Sequence, residues 1–220
     1  MKNNEILQKE VQDAIKWEPL LHAAEIGVTA VDGVVTLTGT VDSFTKKLEA
    51  ENAAKNVAGV KVVVEKIEIK SIYSIETDDT TIAKAILNAF KWNWQIPDEM
   101  IKVNVEQSCV TLEGEVNWHY QKEATENTAS SIIGVKGVIN KIKIISESKE
   151  LLEKQGIERA LARNWSIDER NINVSVMGSN VTLKGTVDYL YQKNEAGKIA
   201  WKAPGVTTVE NDLVVGYNDL

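Results

Sequence analysis

Chemistry-bearing side chains are scarce in this chain. Cys109 is the only cysteine among 220 residues, so neither an intramolecular disulfide nor a cysteine-based zinc cluster can form. Histidine is limited to His22 and His119. With no glycine-rich phosphate loop and no serine-nucleophile elbow, there is no constellation for catalysis, and no enzyme activity, cofactor or metal site is expected. Apolar runs of signal-peptide or membrane-span length are missing as well: Lys2, Glu5, Lys9 and Glu10 punctuate the first ten residues. The chain as written is therefore expected in the cytoplasm, or in the periplasm if it is already processed. Positive charge is in deficit, with a net charge of −7. It divides as −2, −3 and −2 over residues 1–73, 74–146 and 147–220, counting Lys and Arg against Asp and Glu. No nucleic-acid partner is expected, and binding to an anionic membrane would need a local basic patch.

What the chain does have is a phrase used three times. Val35-Thr36-Leu37-Thr38-Gly39-Thr40-Val41 returns as Val110-Thr111-Leu112-Glu113-Gly114-Glu115-Val116 and as Val181-Thr182-Leu183-Lys184-Gly185-Thr186-Val187. Each glycine is followed at one fixed distance by a Gly-Val pair: Gly59-Val60, Gly134-Val135 and Gly205-Val206. A long period with constant internal spacing means three copies of one small domain. Units of this size lie near the lower limit for an independent core. A function that works in triplicate on short modules argues against a single deep active site.

Aligning the copies on their glycines gives the architecture. Val11, Ala14 and Ile15 match Ile86, Ala89 and Phe90, then Ile157, Ala160 and Leu161, the apolar stripe of a first helix. Alternating Ile26-Val28-Ala30, Ile101-Val103-Val105 and Ile172-Val174-Val176 predict a half-buried first strand. Asp32-Gly33 suits a tight hairpin. The repeated phrase is the second strand, and Gly39, Gly114 and Gly185 on its inner face are expected to let a helix approach the sheet. Asp42, Asn117 and Asp188 then cap a second helix whose inner residues are mostly small: Ala50, Ala53, Ala54 and Val57, Thr125, Thr128, Ala129 and Ile132, Ala196, Ile199, Ala200 and Ala203. Gly59, Gly134 and Gly205 are placed at its end, and a third strand follows through Val63 and Ile67, Val138 and Ile142, Val209 and Leu213. The fold class is α+β: three tandem α-β-β-α-β modules, 1–73, 74–147 and 148–220, each a three-stranded sheet with two helices on one face. Polar linkers run from Lys70 to Thr81 and from Ile145 to Leu152, with Asp79 or Thr80 and Ser148 as expected caps.

This order, with Val-Thr-Leu-x-Gly-x-Val and endings such as Gly134-Val135-Lys136-Gly137-Val138-Ile139-Asn140-Lys141-Ile142 and Gly205-Val206-Thr207-Thr208-Val209-Glu210-Asn211-Asp212-Leu213, resembles the BON domain, named for bacterial osmotically inducible and nodulation proteins. Copy one departs from it with Glu65 in place of the asparagine. The resemblance covers nearly the whole chain. It implies a non-catalytic binding module that attaches to phospholipid membranes, protects the envelope under osmotic stress or senses small ions.

Candidate binding residues cluster at the start of the second helix. Trp118 and Tyr120 follow one cap, Tyr189 and Tyr191 another, and a lysine recurs five residues after each cap as Lys47, Lys122 and Lys193. Free helix amides, an ammonium and amphipathic rings could together receive a phosphate head group or a partner's acidic loop; the same rings could instead seal one module against the next. Trp17, Trp92, Trp94 and Trp165 are expected in the core or at interfaces. Asn140 and Asn211, on the inward face of the third strand, are expected to hold a neighbouring loop. Asp98-Glu99 and Asp168-Glu169 could attract a cation, although copy one has Ala23-Ala24 there. Two readings stay open: a stress-linked module that binds phospholipid or another surface, and a cytoplasmic scaffold or small-cation sensor that binds another protein or an ion through module interfaces.

Overall fold

The computed structural model describes residues 3–21, 26–70, 78–145 and 153–216. His22, the Ala23-Ala24 pair, Ser148 and most of both linkers lie outside them. Each copy runs helix, strand, strand, helix, strand. The first comprises α1 (Asn4–Lys16), β1 (Ile26–Val31), β2 (Val34–Val41), α2 (Phe44–Lys55) and β3 (Val62–Ile69). The second comprises α3 (Asp79–Trp92), β4 (Ile101–Glu106), β5 (Cys109–Val116), α4 (His119–Ser130), then β6 (Gly137–Asn140) and β7 (Lys143–Ile144). The third comprises α5 (Lys154–Ala162), β8 (Ile172–Met177), β9 (Asn180–Val187), α6 (Leu190–Trp201) and β10 (Thr208–Val215).

The repeated phrase forms the central strand of every sheet, with orders β1-β2-β3, β4-β5-β6 and β10-β9-β8. The first strand pairs with it antiparallel, Ile101 opposite Gly114 and Ile172 opposite Gly185. The third pairs parallel, Leu112 opposite Asn140 and Leu213 opposite Gly185. A parallel return needs a crossover, and the second helix supplies it. In copy two this strand is broken into β6 and β7 on either side of Ile142; the Ile142 amide there bonds the Asn140 side chain at 3.1 Å.

Each module has its own apolar centre. In the third, Ile157 and Leu161 of α5, Val174 of β8, Val181 and Leu183 of β9, Ala196 and Ala200 of α6 and Leu213 of β10 form one buried cluster. The second helix lies close to its sheet because its buried side chains are small: Ala50 and Ala54, Thr125 and Ala129, Ala196 and Ala200 are fully buried. Thr125 satisfies its hydroxyl by donating to the Gln121 carbonyl one turn back, at 2.7 Å.

The glycines of the central strand have a different reason from the expected one. Gly39, Gly114 and Gly185 sit at φ of 131°, 142° and 134°, a region other residues avoid. A Cβ on Gly114 would lie 2.2 Å from the Met100 carbonyl oxygen, and one on Gly185 would lie 1.9 Å from that of Asn171. At Gly114 and Gly185 the close neighbour is the chain leading into the first strand, not the second helix. Gly59, Gly134 and Gly205 also fall later than expected, beyond the helix ends at Lys55, Ser130 and Trp201. Each is the third residue of a turn closed by Val60 N to Val57 O, Val135 N to Ile132 O and Val206 N to Ala203 O. With φ of 100°, 96° and 84° they hold the position that requires positive φ, and Pro204 before Gly205 fits the same turn.

A device that composition did not suggest secures the hairpins. Asp32 and Gly33 both take positive φ, as a two-residue hairpin demands, but in copy two the same places are held by Gln107 at 51° and Ser108 at 64°. Both strained amides donate to the carboxylate of Asp79, at 2.9 and 2.8 Å. In copy one the aligned Asn4 accepts from Asp32 N at 2.9 Å. Asp79 is thus occupied with the hairpin, and the cap of α3 is Asp78, which accepts from Thr81 N at 2.6 Å.

Candidate binding surface

The second helix starts one residue later than the sequence suggests. Trp118 and Tyr189 hold the cap positions of α4 and α6, and Ser43 precedes Phe44 in copy one. Gln121 is the reason in copy two: its Oε1 accepts from both Asn117 N and Trp118 N at 3.0 Å. Gln192 does the same for Asp188 N and Tyr189 N at 2.9 Å. A side-chain amide oxygen therefore serves the backbone amide at each cap and the one before it. In copy one the aligned Lys46 instead bonds Asp42 at 2.6 Å, and this contact holds the Asp42 carboxyl below its ordinary value.

The recurring lysine turns toward the sheet. Lys122 Nζ donates to the Ile142 carbonyl at 2.8 Å, and Lys47 Nζ to the Ile67 carbonyl at 3.1 Å. Lys193 occupies the same place on α6 and is half-buried. The asparagines close the same joint from the other side: Asn140 donates to the Lys122 carbonyl at 3.2 Å and to Glu126 at 3.0 Å, while Asn211 donates to the Lys193 carbonyl at 2.7 Å. A Cβ at Gly197 would lie 2.9 Å from that Asn211 amide nitrogen, so the helix is kept bare where the asparagine crosses.

Trp118 and Tyr120 are each 45% exposed. Between them His119 is half-buried with its Nδ1 3.5 Å from Glu123. Burial pushes the imidazole below its ordinary value, and Glu123 opposes that shift. Tyr189 and Tyr191 are also partly exposed and stack with ring centres 5.6 Å apart. Burial, helped by the neighbouring Tyr189 and Asp188, pushes the Tyr191 phenol up.

The tryptophans at the end of the first helix are not in the core. Trp17, Trp92, Trp94 and Trp165 are 85%, 90%, 86% and 96% exposed. The inward stripe of α1 is Leu7, Val11 and Ile15, and a residue two places beyond Ile15 points about 200° away from it. Trp92 stands in the same relation to Phe90 of α3. The core is closed instead by Leu21, Ile96 and Ile167 a few residues on. In copy three the Trp165 turn lies against the start of α6, where Gln192 Nε2 donates to the Ser166 carbonyl at 2.7 Å. In copy two Asn93, between the two tryptophans, donates to Thr128 of α4 at 3.1 Å. The turn that carries the rings is therefore fixed to the second helix in both.

Asp168 of the acidic pair in copy three is otherwise engaged. Arg170 binds both Asp168 carboxylate oxygens at 2.8 and 2.9 Å and holds that carboxyl below its ordinary value. Among the described residues no cluster of three His, Cys, Asp or Glu side chains could hold a metal ion, and no helix is long and apolar enough to cross a membrane.

Set beside known proteins, the three modules fall under one description. The BON domain model matches residues 3–71, 78–146 and 154–217. This chain belongs to the BON domain family. Osmotically-inducible protein Y of Escherichia coli (strain K12) is 30% identical over 141 residues, which span 61% of this chain and 69% of that protein. Among solved structures, the C-terminal domain of CdsD, a structural protein of the Type III secretion system of Chlamydia trachomatis, aligns over 99% of this chain and 100% of its own at 15% identity and a TM-score of 0.26. A second CdsD structure aligns at 17% and 0.24. Scores of that size carry no argument about this BON protein.

Proposed function

We propose that this BON protein is a non-catalytic binding protein of the osmotic or envelope stress response, and that it attaches to phospholipid surfaces. The supporting observation is that every module presents large aromatic side chains to solvent from a rigid α+β frame: Trp118 and Tyr120 at the start of α4, Tyr189 and Tyr191 at the start of α6, and a tryptophan at the end of each first helix. Amphipathic rings held at a surface suit the boundary between water and lipid. Relationship to an osmotically inducible protein supplies the stress setting. Lys47 and Lys122 serve as joints between helix and strand in this reading, so the aromatic rings carry the attachment and the lysines hold their platform.

Co-sedimentation of the full chain with phosphatidylglycerol vesicles and with phosphatidylcholine vesicles, at low and at physiological salt, tests the reading. Binding to either is expected. A chain that stays in the supernatant with both vesicle types, at both salt concentrations, overturns it.

A further inference from the structure

We infer that the turn after the first helix of modules two and three is the lipid-inserting edge, with Trp92 and Trp94 in one and Trp165 in the other as the anchors. This rests on the phospholipid reading above and names its residues and its preferred lipid. Three observations carry it. The rings are 86–96% exposed, so they stand clear of the protein with no rim of neighbouring side chains around them. A protein partner that uses a tryptophan as an anchor normally surrounds it with contacts that exclude water, whereas a ring that stands free can sink into a soft medium such as the bilayer boundary. The turn itself is held rigid, by Asn93 to Thr128 in module two and by Gln192 to Ser166 in module three. Finally, an exposed basic residue stands beside the rings: Lys91 adjoins Trp92, and Arg163 lies two residues before Trp165. Carboxylates come later, the Asp98-Glu99 pair beginning four residues after Trp94 and the Asp168-Glu169 pair three residues after Trp165, where Arg170 bonds Asp168.

Module one differs in a way that makes the assignment specific. Trp17 is equally bare, but Lys16 is paired with Asp13 at 3.7 Å and Glu18 follows the ring directly. Its turn carries no excess positive charge, and it contributes less to an anionic surface. The preferred occupant is therefore a bilayer rich in anionic phospholipid.

The test is co-sedimentation of the full chain with phosphatidylglycerol and with phosphatidylcholine vesicles, comparing the natural chain with Trp92→Ser/Trp94→Ser, Trp165→Ser, Trp17→Ser and Trp118→Ser/Tyr120→Ser. Circular dichroism melts serve as the folding control, since rings this exposed hold little of the fold together. The expected result is a loss of about tenfold or more in partitioning for each of the first two variants, a smaller loss for Trp17→Ser, and a preference for phosphatidylglycerol that fades with salt. If the natural chain binds and Trp92→Ser/Trp94→Ser and Trp165→Ser bind equally well, this assignment fails while the phospholipid reading survives. Loss only in Trp118→Ser/Tyr120→Ser moves the edge to the start of α4 and has the same consequence. If the natural chain binds no vesicle but sediments as a dimer that Trp→Ser variants dissociate, the rings meet a second copy, and both readings fall.

Discussion

Gly185→Ala offers a sharp test of how the modules are built, because a second glycine in the same module serves as its control. At Gly185 a Cβ would sit 1.9 Å from the Asn171 carbonyl oxygen and 3.0 Å from its carbon, more than 1 Å inside any tolerable approach. The obstacle is backbone, which cannot swing aside as a side chain does. The φ of 134° adds strain of about 1–3 kcal/mol for a residue with a Cβ, and forcing the strand entry outward adds a comparable overpacking cost of about 1–3 kcal/mol. The combined loss is roughly 2–6 kcal/mol, against a total of roughly 3–10 kcal/mol for a domain of this length. Gly178 also has positive φ, 61°, but a Cβ there meets nothing within 4 Å. Gly178→Ala should therefore cost only about 1–2 kcal/mol, the left-handed penalty alone. Hydrogen exchange read by mass spectrometry on the full chain reports each module separately: Gly185→Ala should open β8, β9 and β10 while leaving β4 and β5 protected. Equal losses for the two variants would refute the argument, since backbone conformation alone would then account for both.

Four further outcomes follow from the same geometry. Ala129→Leu places a large side chain where α4 lies on its sheet and should cost about 1–3 kcal/mol in denaturant melts that report module two. Ser108→Gly should stabilise that module by about 1 kcal/mol, because it removes left-handed strain from the hairpin, whereas Asp79→Ala should destabilise it by about 1–2 kcal/mol by leaving the Gln107 and Ser108 amides without their carboxylate. His119 gives a pH effect of definite sign: its folded-state pKa is depressed by burial, so its contribution is complete above the ordinary value of 6.5 and is lost as pH falls below it. The melting temperature should drop between pH 7 and 5, before carboxylates titrate, and His119→Gln should flatten that drop.

The order of elements was legible because hydrophobic period and internal repetition agree at every step. Val11 and Ile15, Val35 and Leu37, Ala50 and Ala54 are all buried as their spacing requires. Boundaries moved where a side chain competed for backbone groups. The cap of α4 shifted past Asn117 because Gln121 reaches back to two amides, and that glutamine, three residues after Trp118, was a signal available in the sequence. The cap of α3 shifted to Asp78 because Asp79 serves a hairpin 28 residues away, a partnership that only the fold reveals. The core placement of the tryptophans failed for a simpler reason. A large ring at a helix end suggested a lid for a small core, but the angle from Ile15 to Trp17 or from Phe90 to Trp92 already sent it outward.

Recurrence among the three copies has a meaning here that bears on where to look for function. The lysine that recurs as Lys47, Lys122 and Lys193 first suggested a shared anion site, yet in copies one and two it ties the second helix to a carbonyl of the third strand. The recurring glycines answer to a close carbonyl or to a turn. These positions thus report what the fold needs in order to close: Lys47, Lys122, Gly114 and Gly185 each meet a partner inside their own module. The exposed turn after the first helix behaves in the opposite way: Lys-Trp-Glu-Pro in copy one, Lys-Trp-Asn-Trp in copy two and Ala-Arg-Asn-Trp in copy three keep an aromatic ring while changing its place and its charge. Nothing in the packing of a module requires a ring at 85–96% exposure. A large apolar side chain that the fold does not use, present in all three copies beside different charges, is the feature on which the proposed lipid-inserting turn rests.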